Sequence, residues 1–192
     1  MNDDEGILQL LAEFQDKSQP LGVTVVRVVS ETAAARTLAD WVSSLGAALV
    51  LASAELITHA PGIVAALEAE GLPVRPSVSA AATRDAPAGL SLGRLAIAET
   101  GSVLLCEPSL ADRSVGMLSR AQAIVCPTSS LVASLDDAVP ALRRFAMAPG
   151  GSFATLVTGP SRTADIERVL TVGVQGPGKV LVLFVDELPG FA

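Results

Sequence analysis

Short apolar runs alternate with amphipathic segments along most of the chain. The β-branched segment 22–29 predicts a strand, and residues 30–46 predict a helix that begins at a Ser30 cap and ends at a glycine. The pattern then repeats as an apolar strand at 47–53, a helix, a stop at Gly71 and another short strand. Strands separated by crossover helices predict the α/β class, with a mainly parallel sheet flanked by helices.

The ends and the middle of the chain add further elements. Acidic residues followed by spaced apolar residues predict an N-terminal amphipathic helix within residues 1–20. Residues 76–93 are small and rich in turn formers, which predicts a long loop with one short helix. Downstream we predict a hairpin at 94–108, helices at 111–120, 134–145 and 161–173, and strands at 121–127, 153–159 and 179–187. Together these elements predict a single domain over residues 1–192.

Composition and charge narrow the class of protein. Half of the residues are hydrophobic but only 3% are aromatic, so the core is expected to consist of Ala, Val and Leu. The net charge of -7 argues against nucleic acid or an anionic membrane surface as a partner. The first residues are acidic where a secretory signal would be basic, and the apolar runs are too short to span a bilayer. These features predict a cytoplasmic protein.

The two cysteines, Cys106 and Cys126, each lie inside an apolar run. This placement predicts buried thiols in a reducing compartment rather than a disulfide. Their spacing does not match a zinc or iron–sulfur site, so we expect no metal site in this chain.

Four segments within residues 94–187 stand out, namely AIAETGSVLL, EPSLADRSVGML, GPSRTADIE and GVQGPGKVLVLFVD. In this order they resemble the LUD domain family of LutC/YkgG-type proteins. GPSRTADIE, residues 159–167, is the most specific of the four. The sequence departs from the family pattern at Gln175, where histidine is usual, and a second histidine is absent from the final strand. Glutamine cannot shuttle a proton near neutral pH.

The resemblance implies a NagB/RpiA/CoA-transferase-like fold and a role in oxidising L-lactate to pyruvate. It further implies partners, namely a LutA-like cysteine-rich subunit and a LutB-like iron–sulfur subunit. Because this chain has no cysteine clusters of its own, the iron–sulfur clusters are expected on those partners and no cofactor is expected here. The chain is thus expected to be a subunit of an oxidoreductase system, and whether it catalyses a step stays open.

The string GPSRTADIE is the first candidate site. A strand is predicted to end at Gly159-Pro160, at the carboxyl edge of the sheet, where open α/β sheets bind ligands. A helix is predicted to begin just after, and free N–H groups at a helix start favour an anion such as a carboxylate. The alternative is a capped helix, which explains the serine and the acids but not Arg162, because a cation is unfavourable at a helix N-terminus. The candidate ligand-binding residues here are Gly159, Pro160, Ser161, Arg162, Thr163 and Asp165.

The remaining candidates come from the other three segments. Glu99 is either a residue of a hairpin turn or, by analogy with CoA transferases, a nucleophile. Its neighbours in the turn can bind a ligand or simply close the turn, and Arg113 either faces the pocket or pairs with Asp112 at the surface. The candidates in these segments, besides Glu99, are Thr100, Gly101, Ser102, Arg113 and Gln175.

Three hypotheses for function follow. The first is a LutC-type subunit that binds a small carboxylate or related anion at residues 159–167. The second is a self-sufficient enzyme of the NagB/CoA-transferase type that uses Glu99 as nucleophile or base. The third, favoured by Gln175, is a non-catalytic interaction subunit.

Overall fold

The computed structural model describes residues 3–147, 153–163, 171–173 and 176–189. The helices are α1 Asp3–Ser18, α2 Glu31–Ser44, α3 Ala54–His59, α4 Pro61–Ala69, α5 Ala80–Thr83, α6 Leu110–Leu118 and α7 Leu135–Ala146. The strands up to the fifth are β1 Val23–Ser30, β2 Val50–Ala52, β3 Val74–Pro76, β4 Gly89–Ile97 and β5 Ser102–Cys106. The later strands are β6 Ala121–Pro127, β7 Leu131–Val132, β8 Ala154–Val157, β9 Arg162–Thr163, β10 Thr171–Val172 and β11 Lys179–Glu187.

Parallel strands form the centre of the fold, in the order β3–β2–β4–β6–β11–β1. Their side chains are apolar on both faces, as expected for strands that are covered on both sides. Along β11, for example, Leu181, Leu183 and Val185 face α2 and α4, while Val180 and Phe184 face the opposite layer. The predicted mainly parallel sheet with flanking helices is confirmed.

Serine begins most of the helices that follow strands or loops. Its hydroxyl accepts a hydrogen bond from the backbone N–H three residues later at the amino ends of α2, α3, α5, α6 and α7. This arrangement satisfies one of the N–H groups that a helix leaves unpaired at its start. The predicted cap at Ser30 is confirmed, with its hydroxyl accepting from Ala33.

β4 belongs to two layers of sheet. Its first half pairs with β6 and β2, and its second half pairs with β5 and β7 after an irregularity between Gly93 and Leu95. β5 then pairs antiparallel with β8, and the β4–β5 layer packs over β6 and β11 through Val103 and Leu105. On its other face this layer carries α7. The bend in β4 therefore determines the position of β8 and of the segment that follows it.

Gly93 allows the two layers to approach each other. A Cβ at this position would overlap the Cys126 Sγ and lie 2.7 Å from the Val103 Cγ1, both in the core. We therefore expect Gly93→Ala to lower the free energy of unfolding by about 1–3 kcal/mol, the usual effect of overpacking. Urea denaturation measures the change. Gly6→Ala in α1 is the control, because nothing lies within 4 Å of its Cβ position, and it should leave stability unchanged or raised.

Two predicted boundaries differ from the structure. The loop predicted for 76–93 contains the expected short helix, α5, but ends sooner, because β4 begins at Gly89 and pairs at once with β2 and β6. The helix predicted for 161–173 does not begin where expected, since Arg162 and Thr163 form β9. Residues 164–170 of that prediction lie outside the described residues.

The two cysteines agree with the prediction made from their apolar surroundings. Cys106 and Cys126 are both buried thiols, and burial raises the pKa of Cys126 to about 12. A helix long and apolar enough to cross a membrane is absent from the described part of the chain.

Candidate functional site

The Gly159-Pro160-Ser161 turn lies beside the segment that leads into β11. The Ser161 N–H donates to the Pro177 carbonyl at 2.9 Å, and the Ser161 carbonyl accepts from the Gly173 N–H at 2.8 Å. Because β11 begins at Lys179, the turn sits near the amino end of this parallel strand. The expected position at a carboxyl edge of the sheet is therefore wrong, since the bent β4–β5 layer carries β8 across the face of the sheet.

Arg162 is engaged with the backbone rather than with a helix start. β9 pairs antiparallel with β10, with Arg162 opposite Val172 and Thr163 opposite Thr171. The Arg162 guanidinium donates to the Leu21 carbonyl. Arg162 and Thr163 form β9 and therefore do not begin a helix, while the anion site at residues 159–167 stays a prediction. Asp165 and Gln175 lie outside the described residues.

A cavity of about 200 Å³ opens between α6, the ends of β5 and β8, and the turn at Gly159. Its lining includes Glu107, Arg113, Gln122, Thr155, Gly159 and Ser161. A larger cavity of about 610 Å³ adjoins it and shares Met117 and Gly176, but its charged residues, Arg84, Asp85 and Arg120, are exposed to solvent. The smaller cavity is the stronger candidate, because it holds charged groups that are removed from water.

Arg113 supplies the positive charge of this cavity. Its guanidinium lies 3.7 Å above the centre of the Phe153 ring, and its buried Nε has no hydrogen-bond partner among the described residues. No carboxylate of the described residues lies within 4 Å of it. The expected surface pair with Asp112 is wrong, since that carboxylate is buried and accepts from the Ala54 N–H at 2.6 Å and the Ser109 hydroxyl at 2.5 Å.

Glu107 supplies the negative charge and is only 4% exposed. It follows β5 directly, and its N–H donates to the Phe153 carbonyl at 3.0 Å. Burial raises the pKa of Glu107 to about 7, with further raising by the charges of Asp112 and Glu55, while Ser91 and Arg113 act in the opposite direction. Its Oε1 has no hydrogen-bond partner among the described residues. A carboxyl group with this pKa can exist in either protonation state near neutral pH.

The turn at residues 99–102 lies away from this cavity. Glu99 is exposed, and its Oε2 accepts from the Leu135 N–H at 2.9 Å, at the start of α7. Gly101 has a φ of 64° and packs on the end of α1, and the Ser102 hydroxyl contacts that of Thr158 at 2.9 Å. The Thr100 hydroxyl is buried without a partner among the described residues. None of the four is among the residues that line the cavity.

The structure therefore brings together only part of the predicted set. Arg113, Gly159 and Ser161 line the cavity, whereas Pro160 and Arg162 line a neighbouring surface with Leu21. Sequence reasoning missed three residues at the site, namely Glu107, Gln122 and Phe153. A usable signal existed for the first two, because each is a polar residue in or directly after a short apolar strand.

Among the described residues, no group of three or more His, Cys, Asp or Glu side chains is arranged to hold a metal ion.

Comparison with known proteins identifies the family. The family model described as the LUD domain matches residues 11–185. This chain belongs to the LUD domain family. Its similarity to a crystal structure of a DUF162 family protein from Deinococcus radiodurans has a TM-score of 0.66 and covers 93% of this chain and 98% of that one. At 20% sequence identity, that similarity shows the shared fold alone.

The LUD domain is also similar to proteins named lactate utilization protein C. The protein of this name from Shouchella clausii is 35% identical over 126 residues, which is 59% of this chain and 54% of that protein. The one from Bacillus subtilis is 34% identical over 102 residues, or 52% of this chain and 42% of that protein. The LUD domain thus matches about half the length of these relatives.

Proposed function

We propose that this LUD domain takes part in lactate utilization and binds a small carboxylate, with L-lactate as the first candidate, in the cavity beside Arg113. The names of its relatives support the role. The observation that carries the binding site is the Arg113 guanidinium, which lines the cavity with a buried Nε that has no partner among the described residues.

The chemistry of Arg113 fits a carboxylate. Guanidinium presents a planar fork of N–H donors that matches the two oxygens of a carboxylate. The centre of the Phe153 ring lies 3.7 Å from the guanidinium carbon, and this cation–π contact stabilises the cation. The cavity volume of about 200 Å³ is smaller than that of drug-binding pockets and suits a molecule of a few heavy atoms.

The lactate utilization role further includes partner subunits. The sequence has two cysteines, Cys106 and Cys126, whereas a cysteine-ligated iron–sulfur cluster takes about four. Electrons from lactate would therefore pass to LutA-like and LutB-like subunits that carry the clusters, and this LUD domain would hold the carboxylate. No observation favours the alternative nucleophile, since the Glu99 carboxylate accepts a hydrogen bond at the start of α7, away from the cavity.

A growth experiment tests the role. A strain of the source organism that lacks this chain should fail to grow on L-lactate but grow on pyruvate. Wild-type chain and Arg162→Gln should restore growth, and Arg113→Gln should not. A tagged chain from lactate-grown cells should copurify with iron–sulfur proteins. Normal growth of the deletion strain on lactate would contradict the role, and full rescue by Arg113→Gln would contradict the site.

A further inference from the structure

We infer that Glu107 binds the 2-hydroxyl group of the ligand whose carboxylate lies on Arg113, and so makes the cavity selective for 2-hydroxy acids over simple carboxylates. This inference rests on the proposed function. It adds a residue that acts on the ligand's second polar group, which Arg113 alone does not recognise.

Geometry places Glu107 in the required position. It lines the same cavity as Arg113, and Phe153 connects the two, since its carbonyl accepts from the Glu107 N–H and its ring underlies the guanidinium. The Glu107 Oε1 is buried and has no hydrogen-bond partner among the described residues. A buried polar atom without a partner is costly, and a ligand hydroxyl would supply one.

Neighbouring polar residues hold Glu107 in place. Ser91 lies close enough to the Glu107 carboxyl group to lower its pKa, and the Ser91 hydroxyl accepts a hydrogen bond from the Gln122 Nε2 at 3.2 Å. Gly116 leaves room for this amide, because a Cβ there would lie 2.6 Å from the same nitrogen. Three elements, β4, β6 and α6, thus determine where the carboxyl group sits.

Binding of an anionic ligand is coupled electrostatically to protonation of the Glu107 carboxyl group. The pKa of Glu107 is about 7, and burial is the main cause. An anionic ligand beside Arg113 would raise this pKa further, because it adds a like charge. Binding should therefore take up a proton and weaken as the pH rises above about 7. A protonated Glu107 both donates to and accepts from a hydroxyl group.

Other charged groups near Glu107 have partners of their own. Asp112 on α6 accepts from Ala54 and Ser109, and Glu55 on α3 accepts from Arg94 on β4 at 2.5 Å. His59, the one histidine of the sequence, lies 3.7 Å from Glu55. His59→Gln is therefore the control for an indirect effect on the pH dependence.

Calorimetric titration of L-lactate and propionate tests the inference. Wild type should bind lactate about tenfold more tightly than propionate at about pH 6, since one hydrogen bond is lost with propionate. Its lactate affinity should fall about tenfold between about pH 6 and about pH 8. Glu107→Gln should keep the preference and lose the pH dependence, Glu107→Leu should lose both, and His59→Gln should behave like wild type.

The outcomes separate this inference from the proposed function. The proposed function stands if wild type binds both acids and Arg113→Gln abolishes binding. The inference is nevertheless overturned if, in that case, Glu107→Leu keeps the lactate preference and Glu107→Gln keeps the pH dependence. If wild type binds neither acid, both are overturned. Because glutamine is nearly isosteric with glutamate, Glu107→Gln is expected to fold, which its circular dichroism spectrum and melting temperature verify.

Discussion

Replacing Arg113 with glutamine is expected to weaken the binding of L-lactate by about 10- to 100-fold. Hydrogen bonds to a charged group contribute about 1.5–3 kcal/mol each, and every 1.4 kcal/mol corresponds to about tenfold in affinity. Arg113 is the cation that lines the cavity among the described residues, and its buried Nε has no other partner there. Isothermal titration at about pH 6, where Glu107 is mostly protonated, measures the loss.

Arg162→Gln is the matched control for this measurement. Arg162 belongs to the sequence motif that first suggested an anion site, but its guanidinium donates to the Leu21 carbonyl and lines a neighbouring surface. Its lactate affinity should stay within about twofold of wild type, because the two sites share no partner. The reverse result, with binding lost in Arg162→Gln and kept in Arg113→Gln, would show that lactate binds at the sequence motif and not in the cavity.

Removing the Phe14 side chain is expected to lower the free energy of unfolding by about 3–5 kcal/mol. Phe14 on α1 is fully buried, and its ring meets that of Phe184 on β11 edge to face, with 5.2 Å between the centroids. Apart from Phe184, the buried cluster around Phe14 consists of aliphatic side chains and Cys126, and its close packing limits how far it can collapse into the space left by Phe14→Ala. This contact fixes α1 to the sheet.

Leu8→Ala provides the control within the same helix. Leu8 is 56% exposed, so its truncation should change the free energy of unfolding by no more than about 0.5 kcal/mol. Urea denaturation of both variants gives the comparison. Equal and small effects would show that α1 contributes little to the stability of the domain and would contradict the packing described for Phe14.

The pattern of the sequence predicts the parallel sheet well because its signals are local. β-branched runs specify strands, serine caps and glycine stops delimit helices, and Ser30 performs its predicted role. The segment after β8 is predicted less well. Arg162 and Thr163 lie among residues that are typical of a helix start. In the structure, however, a strand at 171–172 pairs with them, and a local sequence pattern does not reveal that contact.

The candidate site shows the same limit. Arg113, Gly159 and Ser161 come from motifs, and the fold brings them together. Glu107 was not singled out, because its role depends on burial and on a cavity formed by elements distant in sequence. Glu99 is a candidate nucleophile by analogy with CoA transferases, yet its carboxylate accepts a hydrogen bond from the first backbone N–H of α7.

The central claim is that a small carboxylate binds in the cavity beside Arg113. A crystal structure of wild-type protein crystallised with L-lactate at about pH 6, where Glu107 is mostly protonated, tests it most directly. We expect the lactate carboxylate within hydrogen-bond distance of the Arg113 guanidinium and its hydroxyl facing the Glu107 Oε1. Lactate bound at Arg162 or at the turn containing Glu99, with the Arg113 cavity empty at saturating concentration, would contradict the account.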